Sequence, residues 1–373
     1  MVNRQKKSGL RAAMFSALLL VVSLLEACAA APQPPQSAAA QTAAAPQTIL
    51  PARAAAAPTP ASGSTAGERA AAPAAGPAVK TAAYAPSSPS SLAYTIAWMS
   101  DTQHYSAGYP DTFLAMTRYL RARQGALGIG YIVHTGDIVA SGKSETEWKR
   151  ARAAMDELAG IPNGVLAGNH DRSGDGYGNY LKYFGKAYYA GNPWYGGNYR
   201  DNINHYDLIA LGVTKYVFVY LSYEPDGDAI AWANAVFRAY PDRVGVLCTH
   251  DYLDGNSSLR SMGRTLRQKV VAASPNVYLV LCGHRYTEDE VPVRFDDNGD
   301  GIPDRTVYQC IANYQALTRG GSGYIRFLAV DEAAGTIRFY TYSPVLGAYG
   351  APPAQATCRT DTLPIPWKLR RAA

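Results

Sequence analysis

Charged side chains are scarce in this 373-residue chain, at 17% of the total. Lys and Arg form no stripe along it, so the electrostatic footprint of nucleic-acid binding is missing. Phe is rare too, 8 against 27 Tyr, so many rings carry a hydroxyl that needs water or a partner. Cysteine is rarer still, five in all. Cys248 and Cys282 end apolar runs and read as buried thiols rather than ligands or a bridge. Cys310 and Cys358 are the two that an oxidising compartment would allow to pair. No internal repeat is visible after residue 90, which excludes a repeat array. What the chain has in quantity is apolar residues, 47%, enough for the core of one large domain or two small ones.

The N-terminus has a basic start, the apolar run Met14 to Leu25, and small residues around Cys28. That run is too short for a comfortable membrane span, and the pattern reads as an export signal over residues 1–27. Leu25-Glu26-Ala27-Cys28 resembles a bacterial lipobox, in which the Cys is acylated and becomes the mature N-terminus; Glu26 departs from that motif. Ordinary cleavage among the alanines is the alternative. The chain is therefore expected to be exported, as a periplasmic or cell-surface lipoprotein anchored to the membrane at Cys28, or otherwise secreted. The leader holds four basic groups and one acid, so it supplies half of the net charge of +6. Residues 28–90 are almost entirely Ala, Pro, Gln, Ser, Thr and Gly, a composition that cannot offset its own ordering entropy. They read as a disordered tether, followed by a folded domain over 91–345 and a C-terminal tail over 346–373.

Within the folded part, apolar runs and helical spacings alternate. Tyr94–Met99, Tyr131–His134, Asn163–Ala167, Tyr216–Leu221, Val244–Cys248 and Val277–Cys282 read as strands. Pro110–Arg123, Glu145–Leu158, Asp228–Ala239 and Leu259–Val271 read as helices. Thr306–Ile311, Tyr324–Val330 and Thr336–Tyr342 then follow as consecutive strands. The pattern predicts an α/β fold of two packed mixed sheets flanked by helices.

Five polar clusters sit at the ends of these strands: Asp101-Thr102-Gln103, Gly136-Asp137, Gly168-Asn169-His170-Asp171, Thr249-His250 and Gly283-His284. Each alone would be a turn, a cap or a core histidine. Ligands of open α/β sheets bind beyond the carboxyl ends of strands. Asp101, Asp137, Asn169, His250 and His284 all stand there. Their oxygen and nitrogen donors suit Mn, Fe or Zn. A paired site needs a bridging carboxylate, and two metals can activate water and clamp a phosphate. Asp137 is the bridge candidate, with Asn169, His250 and His284 on one metal and Asp101 and Gln103 on the other. His134 reads as an interior strand residue; His104 lies near enough in sequence to reach substrate or metal.

The order Asp-x-x, Gly-Asp, Gly-Asn-His-Asp, His, Gly-His resembles the calcineurin-like metallophosphoesterases over about residues 94–345. Ser100–Gln103, Tyr314-Gln315 and Thr341–Pro344 resemble a group of exported bacterial members. The resemblance implies a four-layer αββα sandwich of two mixed β-sheets and a two-metal site. It implies hydrolysis of phosphomonoesters or phosphodiesters by a metal-bound hydroxide, with His170 assisting the leaving oxygen. Three departures stand out. Gln103 occupies the place of a usual His, and still offers a neutral carbonyl oxygen. Tyr286 occupies the place of the last His in Gly-His-x-His; it is either an unusual ligand, as tyrosinate is for iron, or a pocket-lining residue. Ala140 stands where relatives carry an Asp that orients the catalytic histidine, and Asp171 is the candidate substitute.

Two further features bear on ligands. Residues 172–206 form a long Gly-, Tyr- and Asn-rich insertion with Tyr177, Asn179, Tyr180, Trp194, Tyr195 and Tyr199. Its rings serve either a substrate or a small core of their own. Arg172 is the candidate clamp for a phosphate oxygen. Asp296, Asn298, Asp300, Ile302 and Asp304 fall at positions 1, 3, 5, 7 and 9 of an EF-hand-like loop, which would bind calcium in a stabilising role. Val307 at position 12 and the following strand depart from that motif, and an acidic Asn-Gly/Asp-Gly turn is the alternative. The main rival to an enzyme is a non-catalytic phosphate- or metal-binding lipoprotein on the same fold.

Overall fold

The structure is a computed structural model that describes residues 92–174, 176–350 and 360–368. The leader, Cys28, the tether and Cys358 lie outside the described residues. Among the described residues, fourteen strands make two sheets. The first combines β1 (Ala93–Met99), β2 (Ile129–His134) and β3 (Asn163–Val165) with β11 (Ile325–Asp331), β12 (Thr336–Ser343), β13 (Ala348–Tyr349) and β14 (Asp361–Pro364). The second holds β4 (Tyr195–Tyr199), β5 (Asn204–Leu211), β6 (Thr214–Leu221), β7 (Val244–Thr249), β8 (Val277–Cys282), β9 (Glu288–Phe295) and β10 (Arg305–Ala312). The first runs β13-β12-β11-β1-β2-β3, with β14 also on β12; the second runs β4-β5-β6-β7-β8-β10-β9. β1 to β3 are parallel, as are β6, β7, β8 and β10, and the outer strands of both sheets are antiparallel.

The parallel strands read as continuous apolar runs because both of their faces are covered. Between the sheets, Trp98, Tyr131, Val133 and Leu328 meet Phe218, Tyr220, Val246 and Leu281 in one buried cluster. Outside the first sheet, Phe113, Met116 and Leu120 of helix Pro110–Leu127 and Trp148, Ala151 and Met155 of helix Glu145–Asp156 form a second. Outside the second sheet, Ile230, Ala233 and Phe237 of helix Gly227–Ala239 join Leu266, Val270 and Val271 in a third. Three buried clusters in this arrangement make the four-layer αββα sandwich that the sequence implies.

Helix starts follow local chemistry. Ser144 accepts the Glu147 N–H, and the Glu147 carboxylate takes the N–H groups of Ala140 and Ser141, so the loop after β2 is tied to the helix it precedes. Asp226 caps Gly227–Ala239 by accepting the Ala229 N–H at 2.9 Å.

Several expectations change. The insertion 172–206 contains helices Gly178–Phe184 and Lys186–Tyr189, strand β4 and the start of β5. Tyr180, Phe184, Tyr189, Trp194 and Tyr195 are all at most 3% exposed, so its rings fill a core rather than face a ligand. Leu259–Val271 is α-helical only over Ser261–Leu266 and continues as a π-turn over Arg267–Val271. β9 escapes the hydropathy pattern because it is an edge strand with charges and Pro292, which only an edge tolerates. Residues 346–373 are not simply a tail: β14 extends the first sheet, and Trp367, 5% exposed, joins the core between the sheets. Cys310 is a buried free thiol, as are Cys248 and Cys282.

Candidate metal centre

The carboxyl ends of β1, β2, β7 and β8 and the turn after β3 bring the predicted donors together. Asp137 stands in the middle. Its Oδ2 lies 3.2 Å from Gln103 Nε2 and 3.3 Å from His250 Nε2, and its Oδ1 accepts the His170 N–H at 2.9 Å. His250 Nε2 also lies 3.1 Å from Asn169 Oδ1 and 3.2 Å from His284 Nδ1. Ligand atoms of Asp137, His250 and His284 all fall within 4.8 Å of one another. Asp101 closes the other side: its two oxygens accept the His284 N–H at 3.1 Å each, and Ser100 Oγ donates to it.

The main chain is forced to make these approaches. Asp101, Asp137 and His284 have φ of 54°, 53° and 71°, a left-handed conformation that costs about 1–2 kcal/mol per L-residue. Strain of this kind collects at functional sites. The glycines of the motifs have a matching cause. A Cβ on Gly168 would collide with the carboxylate and backbone nitrogen of Asp137, and one on Gly283 with Ser100 Oγ and the Asp101 carboxylate. Each signature glycine is the place where one donor rests on another.

The donors fit a cation. Gln103 Oε1 is buried with no hydrogen-bond partner, an arrangement that costs free energy unless an electrophile completes it. His250 Nδ1 donates to the Thr135 carbonyl at 2.8 Å, which fixes the tautomer and turns Nε2 towards the other donors, the usual second contact of a metal-binding imidazole. Burial alone would strip the proton from His250. The carboxylates of Asp137 and Asp101 outweigh it and push the imidazole up to about 10. Burial, together with the Asp137 charge, pushes Asp101 up to about 7 even though His250 opposes it. For Asp137 the cations and N–H groups around it overcome burial and hold it below the ordinary range. Burial and the His250 charge lower His284 to about 4, leaving its lone pair available.

The remaining predicted residues divide. His170 is exposed, and its Nδ1 lies 3.0 Å from the Ala140 carbonyl oxygen. Asp171 does not orient it. Asp171 is fully buried and accepts backbone N–H groups from Ile138 at 2.8 Å, Val139 at 3.0 Å and Gly168 at 2.7 Å. It locks two ligand loops to each other. Arg172 is not free to clamp a phosphate either. Its Nε donates to Tyr177 Oη, Nη1 pairs with Glu224 and Nη2 donates to the Tyr223 carbonyl, each at 3.1 Å. Tyr286 is 56% exposed and makes no hydrogen bond to the donors, which places it at the rim rather than among them. His134 is an interior residue, 2.9 Å from Thr102 Oγ1, and His104 is exposed on helix Gln103–Gly108.

The 296–304 loop joins β9 to β10. Asp296 accepts N–H groups from Gly299, Asp300 and Gly301, and Asp304 from Asp297 and Asn298. Ile302 is exposed, and Val307 is fully buried in β10. The twelfth position of that loop is therefore committed to the core.

Sequence reasoning passed over Tyr223. Its ring centroid lies 5.9 Å from those of both His250 and His284, and its N–H is bonded to the Ala167 carbonyl at 2.9 Å. It follows β6 by two residues, so the strand-end rule that found the other donors would have reached it.

The pattern described as calcineurin-like phosphoesterase matches residues 94–287. The protein YvnB of Bacillus subtilis (strain 168) is 40% identical over 260 residues, 69% of this chain. The chain spans only 20% of that protein's length. Among solved structures, purple acid phosphatase PPD1 from yellow lupin (Lupinus luteus) is similar at a TM-score of 0.48 and 11% identity, over 70% of this chain and 53% of that one. GAP50, the anchor in the inner membrane complex of Plasmodium, is similar at 0.45 and 13%, over 75% and 90%. With a family pattern covering more than half its length and the donors of that pattern gathered at one site, this chain belongs to the calcineurin-like phosphoesterase family.

Proposed function

We propose that the protein is a metal-dependent phosphoester hydrolase with two transition metal ions, Mn, Fe or Zn. Asp137, Asn169, His250 and His284 would hold one, Asp101 and Gln103 the other, with Asp137 shared. When bound, such ions activate water and stabilise the charge of an in-line displacement at phosphorus. The observation that carries this reading is Asp137, whose single Oδ2 faces Gln103 on one side and His250 on the other. His170 donates its backbone N–H to this carboxylate and sets Nδ1 on the Ala140 carbonyl. Its other nitrogen, Nε2, is the group we assign to protonating the leaving oxygen, a step in which the imidazolium gives up its Nε2 proton and keeps the one on Nδ1. Asp171 and Ser100 hold the ligand loops, and Thr135 keeps Nε2 of His250 turned inward.

One observation favours the rival, a phosphate- or metal-binding protein without turnover. Tyr286 stands exposed where the family usually places a histidine, so the Asp101 side has fewer donors. Hydrolysis of one aryl monoester and one aryl diester, with Mn, Fe or Zn supplied, decides between them. Metal-dependent turnover that disappears in Asp137→Asn supports the enzyme, and the ratio of the two rates narrows its substrate. Folded protein that binds metal and turns over neither ester supports the rival.

We also read residues 1–27 as an export signal and Cys28 as a lipid attachment point, so that residues 28–90 tether the hydrolase to a membrane surface. Cys28→Ala should release the protein from the membrane fraction. Retention of that variant would remove the anchor from the reading.

A further inference from the structure

Donors drawn from two sheets must keep their strand ends in register. Asn169 follows β3 of the first sheet, whereas His250 and His284 follow β7 and β8 of the second. The imidazole of His250 is oriented by a carbonyl, through Nδ1 on Thr135 at 2.8 Å. His284 lacks such a support. Among the described residues its hydrogen bonds are the two from its N–H to Asp101 and the contact of Nδ1 with His250 at 3.2 Å, so no carbonyl sets the angle of its ring. That ring lies beside the half-buried ring of Tyr223, with centroids 5.9 Å apart and planes inclined at 42°. The same tyrosine meets His250 at 71°, also at 5.9 Å. Both contacts are within the range where aromatic rings prefer particular orientations.

Tyr223 is itself held from the first sheet. Its N–H donates to the Ala167 carbonyl at 2.9 Å, and the Ala167 N–H donates to Ser222 Oγ at 3.0 Å. Ala167 leads directly into Gly168-Asn169. The Tyr223 carbonyl accepts from Arg172 Nη2 at 3.1 Å and from Tyr177 Oη at 3.0 Å. The Arg172 guanidinium lies over both rings, 5.1 Å from the centroid of Tyr223 and 5.3 Å from that of Tyr177, within cation–π reach. Glu224, the next residue, pairs with Arg172 at 3.1 Å and has φ of 52°, a strained backbone that persists only where its surroundings over-determine it. We infer that Tyr223 is a positioning residue of the metal centre. Clamped by Arg172, it transmits the position of the Asn169 loop in the first sheet to the imidazoles of His250 and His284 in the second. Arg172 then serves the site through Tyr223 rather than through a substrate anion. The inference rests on the metal-dependent reading above.

The test measures cobalt(II) affinity by competition with a chromophoric chelator, the visible spectrum of the cobalt-loaded protein, and the urea midpoint of the metal-free protein. Tyr223→Leu should weaken cobalt by about 10–100-fold, the range for lost support of a ligand, and should shift the cobalt bands, which report ligand geometry. Tyr223→Phe keeps the ring and should leave both as in the wild type. Arg172→Met should weaken cobalt in the same direction. The double variant Arg172→Met/Tyr223→Leu should lose less than the product of the two single losses, because both remove one support. A lower urea midpoint in Tyr223→Leu with wild-type cobalt affinity and spectrum would reduce Tyr223 to packing and overturn the inference. Equal losses in Tyr223→Phe and Tyr223→Leu, or single losses that multiply in the double variant, would overturn it too. If Tyr223→Leu does not fold, Arg172→Met decides, and unchanged cobalt affinity there counts against the inference. Wild-type protein that binds no transition metal sinks the metal reading and this inference together. Metal-dependent turnover with a Tyr223→Leu variant of unchanged affinity keeps the hydrolase and removes only Tyr223.

Discussion

Nδ1 of His170 lies 3.0 Å from the carbonyl oxygen of Ala140. A carbonyl only accepts, so Nδ1 carries the proton and Nε2 is left for chemistry. Relatives use an aspartate side chain at this position, whereas here the main chain of the same residue fixes the tautomer without adding a charge. The carbonyl is itself held, because the neighbouring Ala140 and Ser141 N–H groups bind Glu147.

The first prediction concerns that imidazole. His170→Ala should lower kcat by about 10²–10⁴-fold, the usual worth of a positioned general acid. The metal content of the purified variant, read by emission spectrometry, should match the wild type, since His170 is absent from the donor cluster. Loss of metal in step with activity would move His170 into the ligand set.

His250 supplies a prediction about pH. In metal-free protein its carboxylate neighbours, Asp137 foremost, overcome burial and raise it from 6.5 to about 10. Between those values the native state holds a proton that the unfolded chain has released. The stability this proton contributes is complete below pH 6.5 and is lost as pH rises to 10, at about 1.4 kcal/mol per pH unit for one proton. Burial raises the thiols of Cys248, Cys282 and Cys310, which adds a loss of the same sign above pH 9. A bound metal takes the place of the proton, so the slope between pH 7 and 9 should flatten on metal loading. Urea titrations at pH 7, 8 and 9, with and without metal, measure both slopes. Equal slopes would mean that His250 is no ligand.

Much of the fold and most of the donors were legible in the sequence, and the exceptions have physical causes. Buried parallel strands announce themselves as apolar runs, and their ends then mark Asp101, Asp137, Asn169, His250 and His284. β9 was hidden because an edge strand pairs through its backbone and this one carries charges and Pro292 in place of an apolar run. Asp171 and Arg172 were misread because adjacency to a catalytic motif says nothing of where a side chain points. Asp171 turns to three backbone N–H groups, and Arg172 turns to Tyr223. The Tyr314-Gln315 and Thr341–Pro344 stretches, noticed only as family resemblances, meet in one buried network. Tyr314 Oη and Thr341 Oγ1 both bond to Glu288, and Arg326 reaches Glu288 at 2.9 Å and Glu290 at 2.6 Å.

That network joins β9 of one sheet to β11 and β12 of the other, so its loss should be global. Arg326→Met would leave two carboxylates buried without their cation. It should cost about 3–5 kcal/mol, as breaking a buried ion pair does. Arg326→Met/Glu288→Gln/Glu290→Gln should recover part of that loss, because apolar or neutral replacement removes the stranded charges. Urea midpoints read both values. A small cost in the single variant would show that the network contributes little to holding the sheets together.

The motif glycines can be tested apart from the ligands. Gly168→Ala and Gly283→Ala remove no donor, but each new methyl would press on Asp137 or on Asp101 and Ser100. Metal affinity should fall by about 10–100-fold in each, the range for disturbed support of a ligand. Competition with a chromophoric chelator measures it. Unchanged affinity would mean that the ligand loops can relax away from these positions.

The final prediction concerns residues beyond 345. Trp367 packs edge-on against Tyr216 with ring centroids 5.7 Å apart, and its indole N–H donates to Thr214 Oγ1 at 3.3 Å. β14 pairs with β12 from Thr336 to Phe339, Ile365 N–H binds the Gly335 carbonyl at 2.9 Å, and Tyr308 Oη donates to the Pro364 carbonyl at 2.8 Å. The segment thus touches both sheets, Tyr308 and Tyr216 from the second and β12 from the first. Trp367→Ala should cost about 3–5 kcal/mol, the range for deleting a buried aromatic ring. A chain ending at residue 345 should lose more, since it also exposes the edge of β12 and the rings of Tyr216 and Tyr278. Metal binding should survive in Trp367→Ala, because the donors gather at other strand ends. A chain ending at 345 with wild-type urea stability would show that the domain closes without this segment.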